Sequence, residues 1–276
     1  RFAERRADTT YAAHLGDLSR RLRESLQRHA WKEDFFARVL INRAGRHSYL
    51  GAKGDGLSAD PTLDGTYFLN SFNWSVLAGV ATEDQIRTML SVLKRALLTP
   101  HGLKLCSPVN FAAITSRGGS AEYFPGDREN GGVFKHADMM AAVALFKAAK
   151  TVQDAQLAAE LRDLAYDVID VVVPYRTMAD PYVLAGNPRF CTQYNNSETG
   201  ENVGPTLSGT ASWLWLALTA AYGIQIRPEG IDIDPVLRAR QTALELSLHT
   251  GRADYCIRIA KPEGCYRRRD HQPRLV

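Results

Sequence analysis

Two glycine-rich segments each run straight into an apolar stretch, and both are crowded with groups able to bind an anion beside a polyhydroxylated molecule. The first reads Tyr123-Phe124-Pro125-Gly126-Asp127-Arg128-Glu129-Asn130-Gly131-Gly132-Val133-Phe134-Lys135-His136. The second runs from Gly200 through Gly204-Pro205-Thr206-Leu207-Ser208-Gly209-Thr210 into Ala211-Ser212-Trp213-Leu214-Trp215-Leu216. A helix start leaves backbone N–H groups unpaired and carries a partial positive charge, and glycines let a ligand come close to that backbone. Ser208, Gly209 and Thr210 make a compact nest of N–H and O–H donors suited to phosphate, although Ser208 would also serve as a simple helix cap. The lysine of a nucleotide-binding P-loop is missing from this segment. His136 falls in the first turn after Gly132, where a histidine either ligates an anion or packs as a structural residue. Asp127, Arg128, Glu129 and Asn130 are four consecutive hydrogen-bonding side chains. With Tyr123 or Phe124 as an aromatic platform they suit sugar hydroxyls, and a solvated turn would have the same composition.

Weaker candidates lie elsewhere. Asn195, Asn196, Ser197, Glu198 and Glu201 could line a sugar subsite or solvate their loop. Asp55, Asp60 and Asp64 sit in a glycine-rich stretch without calcium-loop spacing. Asp180 either meets a substrate or starts a turn. Trp213 and Trp215 read as core. No Gly-x-Ser-x-Gly or Cys/His metal motif occurs.

The positioning elements follow from periodicity. Leu15, Leu18, Leu22 and Leu26 predict an amphipathic helix from Thr9 to Ala30. Asp34 to Gly65 has no sustained period, and its second half reads as a long ordered loop. An apolar stretch spans Ser71 to Val80, flanked at its start by Tyr67 and Trp74. Thr82-Glu83-Asp84-Gln85 then caps a helix carrying Ile86, Met89, Leu90 and Leu93. Further helices are expected over Val133–Lys150, Gln153–Val173 and Ala211–Tyr222, with long loops over Pro100–Gly132 and Pro174–Pro205. After Gly223, four segments alternate with period two: Ile224–Arg227, Ile231–Asp234, Leu244–His249 and Tyr255–Ile259. They predict half-buried strands. The boundary near Gly223 divides a helical part, 1–223, from a β region, 224–276, that is expected to be incomplete. Helices joined by long polar loops suggest a toroid whose site is built from loops on one face.

Composition excludes several classes. The chain has 276 residues, 45% of them hydrophobic, which is enough for a full core. The net charge of +4 is concentrated partly at the two ends, in Arg1, Arg5 and Arg6 and in Arg267-Arg268-Arg269. That argues against nucleic-acid binding, which needs a basic face. No apolar run approaches the ~20 residues of a membrane span, and no secretory signal opens the chain. Cys106, Cys191, Cys256 and Cys265 lack metal-ligand spacing and predict a reduced, cytoplasmic protein. The absence of an initiator Met predicts that the chain starts inside a longer protein.

The Tyr123–His136 segment, the run Ser208-Gly209-Thr210-Ala211-Ser212-Trp213, and Gly230-Ile231-Asp232-Ile233-Asp234-Pro235 together resemble the inverting β-glucoside phosphorylases of glycoside hydrolase family 94. Trp31–Phe36 and Ser71–Gly79 also look like segments of that family. The resemblance implies a mainly α fold, part of an (α/α)6 barrel, with a small jelly-roll-like C-terminal β region. It implies that His136, Ser208, Gly209 and Thr210 hold inorganic phosphate, and that Tyr123, Arg128 and Glu129 contact sugar. Phosphate would be a co-substrate, with no cofactor and no metal; the partners would be a β-gluco-oligosaccharide and, in a family where dimers are common, a second copy of the chain. The family's general-acid Asp lies in a Trp-Asn-Asp-like motif that this sequence does not contain, so the catalytic acid is expected upstream. Phe190 to Gly200 looks closer to the β-1,2-oligoglucan branch than to cellobiose or chitobiose phosphorylases. Two other functions remain open at the sequence level. One is an inverting hydrolase with Asp127 or Glu198 as base. The other is non-catalytic: a glucan-binding fragment, or the phosphorylase-like domain of a cyclic β-1,2-glucan synthase.

Overall fold

The computed structural model describes residues 2–110, 123–173, 192–205, 209–227, 230–249, 251 and 253–260. A short turn, α1 (Phe2–Arg5), leads into α2 (Thr9–His29), capped by Asp8, whose carboxylate accepts the Tyr11 N–H at 3.0 Å. The helix forms where the leucine spacing places it, yet Tyr11, Leu15, Leu18 and Leu22 all remain exposed. Its C-terminal end is anchored: Leu26 packs on the core, and the Gln27 amide donates to the Val80 carbonyl at 2.6 Å.

β1 (Trp31–Lys32) and β2 (Phe35–Phe36) form a minimal hairpin, followed by a longer one from β3 (Val39–Arg43) and β4 (Arg46–Leu50). The sequence reading finds no period here. The hairpin exists because Ala44 and Gly45 both take positive φ, +48° and +78°, the two-residue turn whose twist matches paired strands. Alanine in place of the usual asparagine conceals that signal. The ordered loop that follows is organised by Asp55. Its carboxylate accepts the backbone N–H groups of Gly51 at 2.9 Å and Leu57 at 3.0 Å, together with the Thr66 hydroxyl. Asp55 therefore serves the loop's own backbone, and no metal-binding cluster occurs among the described residues.

α3 (Leu69–Leu77) precedes α4 (Glu83–Val92), whose capping box is formed as expected: Gln85 N–H donates to Thr82 Oγ1, and the Thr82 N–H donates to Gln85 Oε1. A π-helical turn (Leu93–Leu97) extends α4 into the hairpin β5 (Leu98–Thr99) and β6 (Gly102–Leu103). After β7 (Val133–Phe134), α5 (Lys135–Thr151) and α6 (Ala155–Asp170) follow, the latter capped by Asp154. α5 begins two residues later than its periodicity indicates, because Val133 and Phe134 are drawn into a sheet.

That sheet corrects the reading of the third long loop. Its described end is a hairpin, β8 (Thr192–Asn195) and β9 (Asn202–Pro205), and β7 pairs antiparallel with β8 through Val133↔Asn195 and Phe134↔Tyr194. The rest of that loop, with Asp180, lies outside the described residues. α7 (Thr210–Tyr222) follows and ends at Gly223 in the left-handed conformation, φ +67°.

α5 is the hub of the helical part. Ala137, Ala141, Ala142, Ala144, Leu145, Phe146 and Ala148 on it are fully buried, and α3, α6 and α7 all pack against it. Its many alanines allow this close approach on several sides. Trp215 corrects a second expectation: it is 70% exposed, because α7 turns Thr210, Ala217 and Ala221 inward and Trp215 away from them. Trp213 is half-buried against the core.

The period-two segments form two antiparallel hairpins, β10 (Ile224–Arg227) with β11 (Gly230–Ile233), and β12 (Ala243–His249) with β13 (Asp254–Ala260). The segment following β11 turns back onto the helices. Val236 N–H donates to Ala221 O, Tyr166 Oη donates to Val236 O at 2.7 Å, and Arg238 forms a two-point ion pair with Asp170.

Candidate functional site

The first glycine segment is a compact, self-braced loop. Gly126 N–H donates to Asn130 O, Asn130 N–H to Asp127 O, and Gly132 N–H to Arg128 O at 2.8 Å. Asn130 is buried and ties the loop to its own start and to the preceding segment: its amide donates to Tyr123 O at 2.8 Å, and its Oδ1 accepts the Val109 N–H at 3.0 Å. Asn130 thus supports the loop. Gly132 is required by proximity, since a Cβ there would lie 2.6 Å from the Arg128 carbonyl oxygen. Arg128 itself takes φ +42°, the left-handed region that non-glycine residues seldom adopt. Strain of that kind concentrates at functional loops.

These constraints present three of the expected sugar contacts at the surface. Tyr123, Arg128 and Glu129 are exposed. The Arg128 guanidinium lies 5.2 Å from the Tyr123 ring centroid, a cation–π geometry. Hydrogen bonding to the Tyr123 and Tyr194 hydroxyls holds the guanidinium above its ordinary range. Glu129 accepts, through its backbone carbonyl, the Cys106 Sγ at 3.1 Å. Its side chain is left to face solvent.

Behind this surface lies an aromatic column that the sequence reading does not contain. Tyr194 is buried, its hydroxyl donates to Asp127 Oδ1 at 2.9 Å, and its ring stacks on Phe134 with centroids 5.0 Å apart. Phe134 in turn meets His136 edge-on, 5.6 Å between centroids. Burial and the Asp127 carboxylate push the Tyr194 phenol up to about 12. Thr192 and Tyr194, strand formers two residues apart, were the available signal for this strand, masked by the polar residues around them.

The structure places three of the four expected phosphate ligands, His136, Gly209 and Thr210, at two helix starts. His136 occupies the first turn of α5, half-buried, and burial lowers its pKa below the usual histidine range. A neutral imidazole there donates one N–H, and an arriving dianion would favour its protonation. Gly209 stands at the cap position of α7, the place expected for Ser208, and as a glycine it offers no side-chain cap. Ser208 lies outside the described residues. Thr210 is 1% exposed, and its Oγ1 has no hydrogen-bond partner among the described residues. α5 and α7 pack against one another. The turn just upstream of the second glycine segment touches the first directly: Ser197 N–H donates to Gly126 O at 2.9 Å, and Gly126 leaves no slack before the Glu198 side chain.

A further buried acid lies in the first turn of α5 itself. Asp138 is fully buried, accepts the Leu103 N–H at 3.3 Å, and leaves Oδ1 unpartnered among the described residues. Burial raises its carboxyl well above the usual range, while the Lys135 charge acts in the opposite sense.

Comparison with known proteins decides the family. The model of the glycosyl hydrolase 94 superfamily catalytic domain matches residues 1–222. The chain belongs to this superfamily. It is similar to the 3-O-β-D-glucopyranosyl-β-D-glucuronide phosphorylase of Paenibacillus borealis, 25% identical over 96% of the chain and 32% of that protein. It is also similar to the N,N′-diacetylchitobiose phosphorylase of Vibrio proteolyticus, 23% identical over 90% of the chain and 29% of the relative. The cellobionic acid phosphorylase of Neurospora crassa is 24% identical over 89% of the chain and 30% of its own length. The chain therefore spans about a third of the length of the curated relatives it matches. Within the superfamily match lie both glycine segments, the aromatic column and the starts of α5 and α7. No helix among the described residues is long and apolar enough to cross a membrane.

Proposed function

We propose that this chain is the phosphate- and sugar-binding part of an inverting glycoside phosphorylase. The reaction is attack of inorganic phosphate on the anomeric carbon of a terminal β-glucosyl unit, from the face opposite the leaving oxygen. The C–O bond to the leaving sugar breaks, a carboxylic acid protonates that oxygen, and α-glucose 1-phosphate is released. Phosphate stands where an inverting hydrolase places an activated water, and as an anion it needs no general base. The acid is assigned to a segment outside this chain, within an (α/α)6 barrel of which these helices form part.

The observation that carries the reading is the pair of helix starts on packed helices, one with His136 and one with Gly209 and the buried Thr210 hydroxyl, which has no partner among the described residues. Donors held in place before the ligand arrives stabilise developing charge without reorganisation. Arg128, Glu129 and Tyr123 fix the sugar hydroxyls from the neighbouring loop. The phosphorylase names of the relatives from Paenibacillus, Vibrio and Neurospora support the same chemistry. We place the substrate among β-linked gluco-oligosaccharides, with β-1,2 linkages the first to test, and the protein in the cytoplasm, where thiols such as Cys106 and Cys256 stay reduced. Of the two candidate bases for the hydrolase alternative, Asp127 and Glu198, the first is engaged by the Tyr194 hydroxyl.

Phosphorus NMR on the longest expressible form tests this, with a panel of β-linked gluco-oligosaccharides and phosphate. An α-glucose 1-phosphate signal is expected, and the responsive oligosaccharide names the linkage. Sugar release without that signal would establish a hydrolase. His136→Ala should weaken phosphate use roughly a hundredfold, the loss of one charged hydrogen bond.

A further inference from the structure

Tyr194 joins two groups that the proposed reaction must bring together. Its hydroxyl donates to Asp127 at 2.9 Å, and Asp127 adjoins Arg128 in the loop. Its ring stacks on Phe134, 22° from parallel, and Phe134 packs edge-on against His136. Phe134 and Tyr194 are directly opposed across the β7–β8 pair, where aromatic side chains interact most strongly. Both rings are almost completely buried, 6% and 4% exposed, so each has little freedom to reorient. The strands sit immediately before the first turn of α5 and immediately before the turn that touches Gly126.

We propose that Tyr194 is a positioning residue: its hydroxyl holds the Asp127–Arg128 edge of the sugar-binding loop, and its ring, through Phe134, holds His136 at the phosphate. The inference rests on the phosphorylase reading and deepens it. Displacement converts substrates only when the two reactants are held at near-attack distance, so a rigid spacer between their subsites acts on both. The two ends of the tyrosine divide the work. The hydroxyl acts on sugar through Arg128, and the ring acts on phosphate through His136.

The test separates the ends by steady-state kinetics in the direction of phosphorolysis, varying oligosaccharide and phosphate independently. Tyr194→Phe keeps the stack and removes the hydroxyl. It should raise KM for the oligosaccharide roughly tenfold, as expected for one hydrogen bond in a charged cluster, and leave KM for phosphate within about twofold. Tyr194→Leu removes the stack as well and should raise both constants. Asp127→Asn keeps the shape, removes the charged acceptor and should reproduce the Tyr194→Phe pattern, which guards against a folding defect in either tyrosine variant. A purely structural role would lower melting temperature and kcat without dividing the two constants. An oligosaccharide KM unchanged in Tyr194→Phe, or identical kinetics in the Phe and Leu variants, overturns the proposal alone. Absence of phosphate-dependent turnover in the wild type overturns the phosphorylase reading and this inference with it.

Discussion

Replacing Thr210 with valine should make the unliganded protein more stable and a poorer user of phosphate. Thr210 is 1% exposed, and its hydroxyl meets no partner among the described residues. A buried polar group left unsatisfied costs about 1–3 kcal/mol in desolvation. Valine keeps the β-branched shape while removing the hydroxyl. The gain should be on the order of 1 kcal/mol, or roughly 2–4 °C in melting temperature for a domain of this size. A hydrogen bond to a charged phosphate contributes about 1.5–3 kcal/mol, so phosphate affinity should fall about 10- to 100-fold. Thermal unfolding with and without phosphate reads both quantities. At a concentration about 100 times Kd a ligand stabilises by roughly 2.7 kcal/mol, and Thr210→Val should lose much of that increment. If the variant is less stable without ligand, the hydroxyl has a structural partner. If the phosphate increment is undiminished, Thr210 is no phosphate ligand. Either result refutes the reasoning.

Two further outcomes follow from the same geometry. Gly223→Ala should destabilise the chain by about 3 kcal/mol or more, because φ is +67° and a Cβ would overlap the Asp234 carbonyl; thermal melts, and new proteolytic cleavage near the β10–β11 hairpin, would register it. Asp138→Asn should gain stability relative to wild type as pH rises from about 5 to 9. The buried carboxyl is raised from its ordinary 3.8, so its stabilising proton is fully held below that value and is lost as pH climbs through the folded pKa. Denaturant titrations across that range should show the two curves diverging, and parallel curves would mean the carboxyl is not the titrating group.

Much of this molecule was legible in its residues because the relevant signals are local. The Thr82–Gln85 capping box starts α4, leucines spaced by three and four give α2 and α6, and a mostly alternating pattern marks β12 and β13. Each depends on neighbours within about a turn or a strand, where periodicity alone selects helix or strand. The two glycine segments and their resemblance to a phosphorylase family were likewise readable from residue order. Tertiary structure alone decided the rest. Val133-Phe134 could have extended α5 on propensity, yet pairs with Asn195 and Tyr194, some sixty residues later in the chain. That pairing buries Tyr194 and ties Asp127, Arg128, Phe134 and His136 into one column. Trp215 has the composition of core and stands in solvent, because the turn of α7 selects alanines to face α5. Residue types set which local structures are cheap; which faces and strand edges meet is settled only when distant segments compete for the same burial.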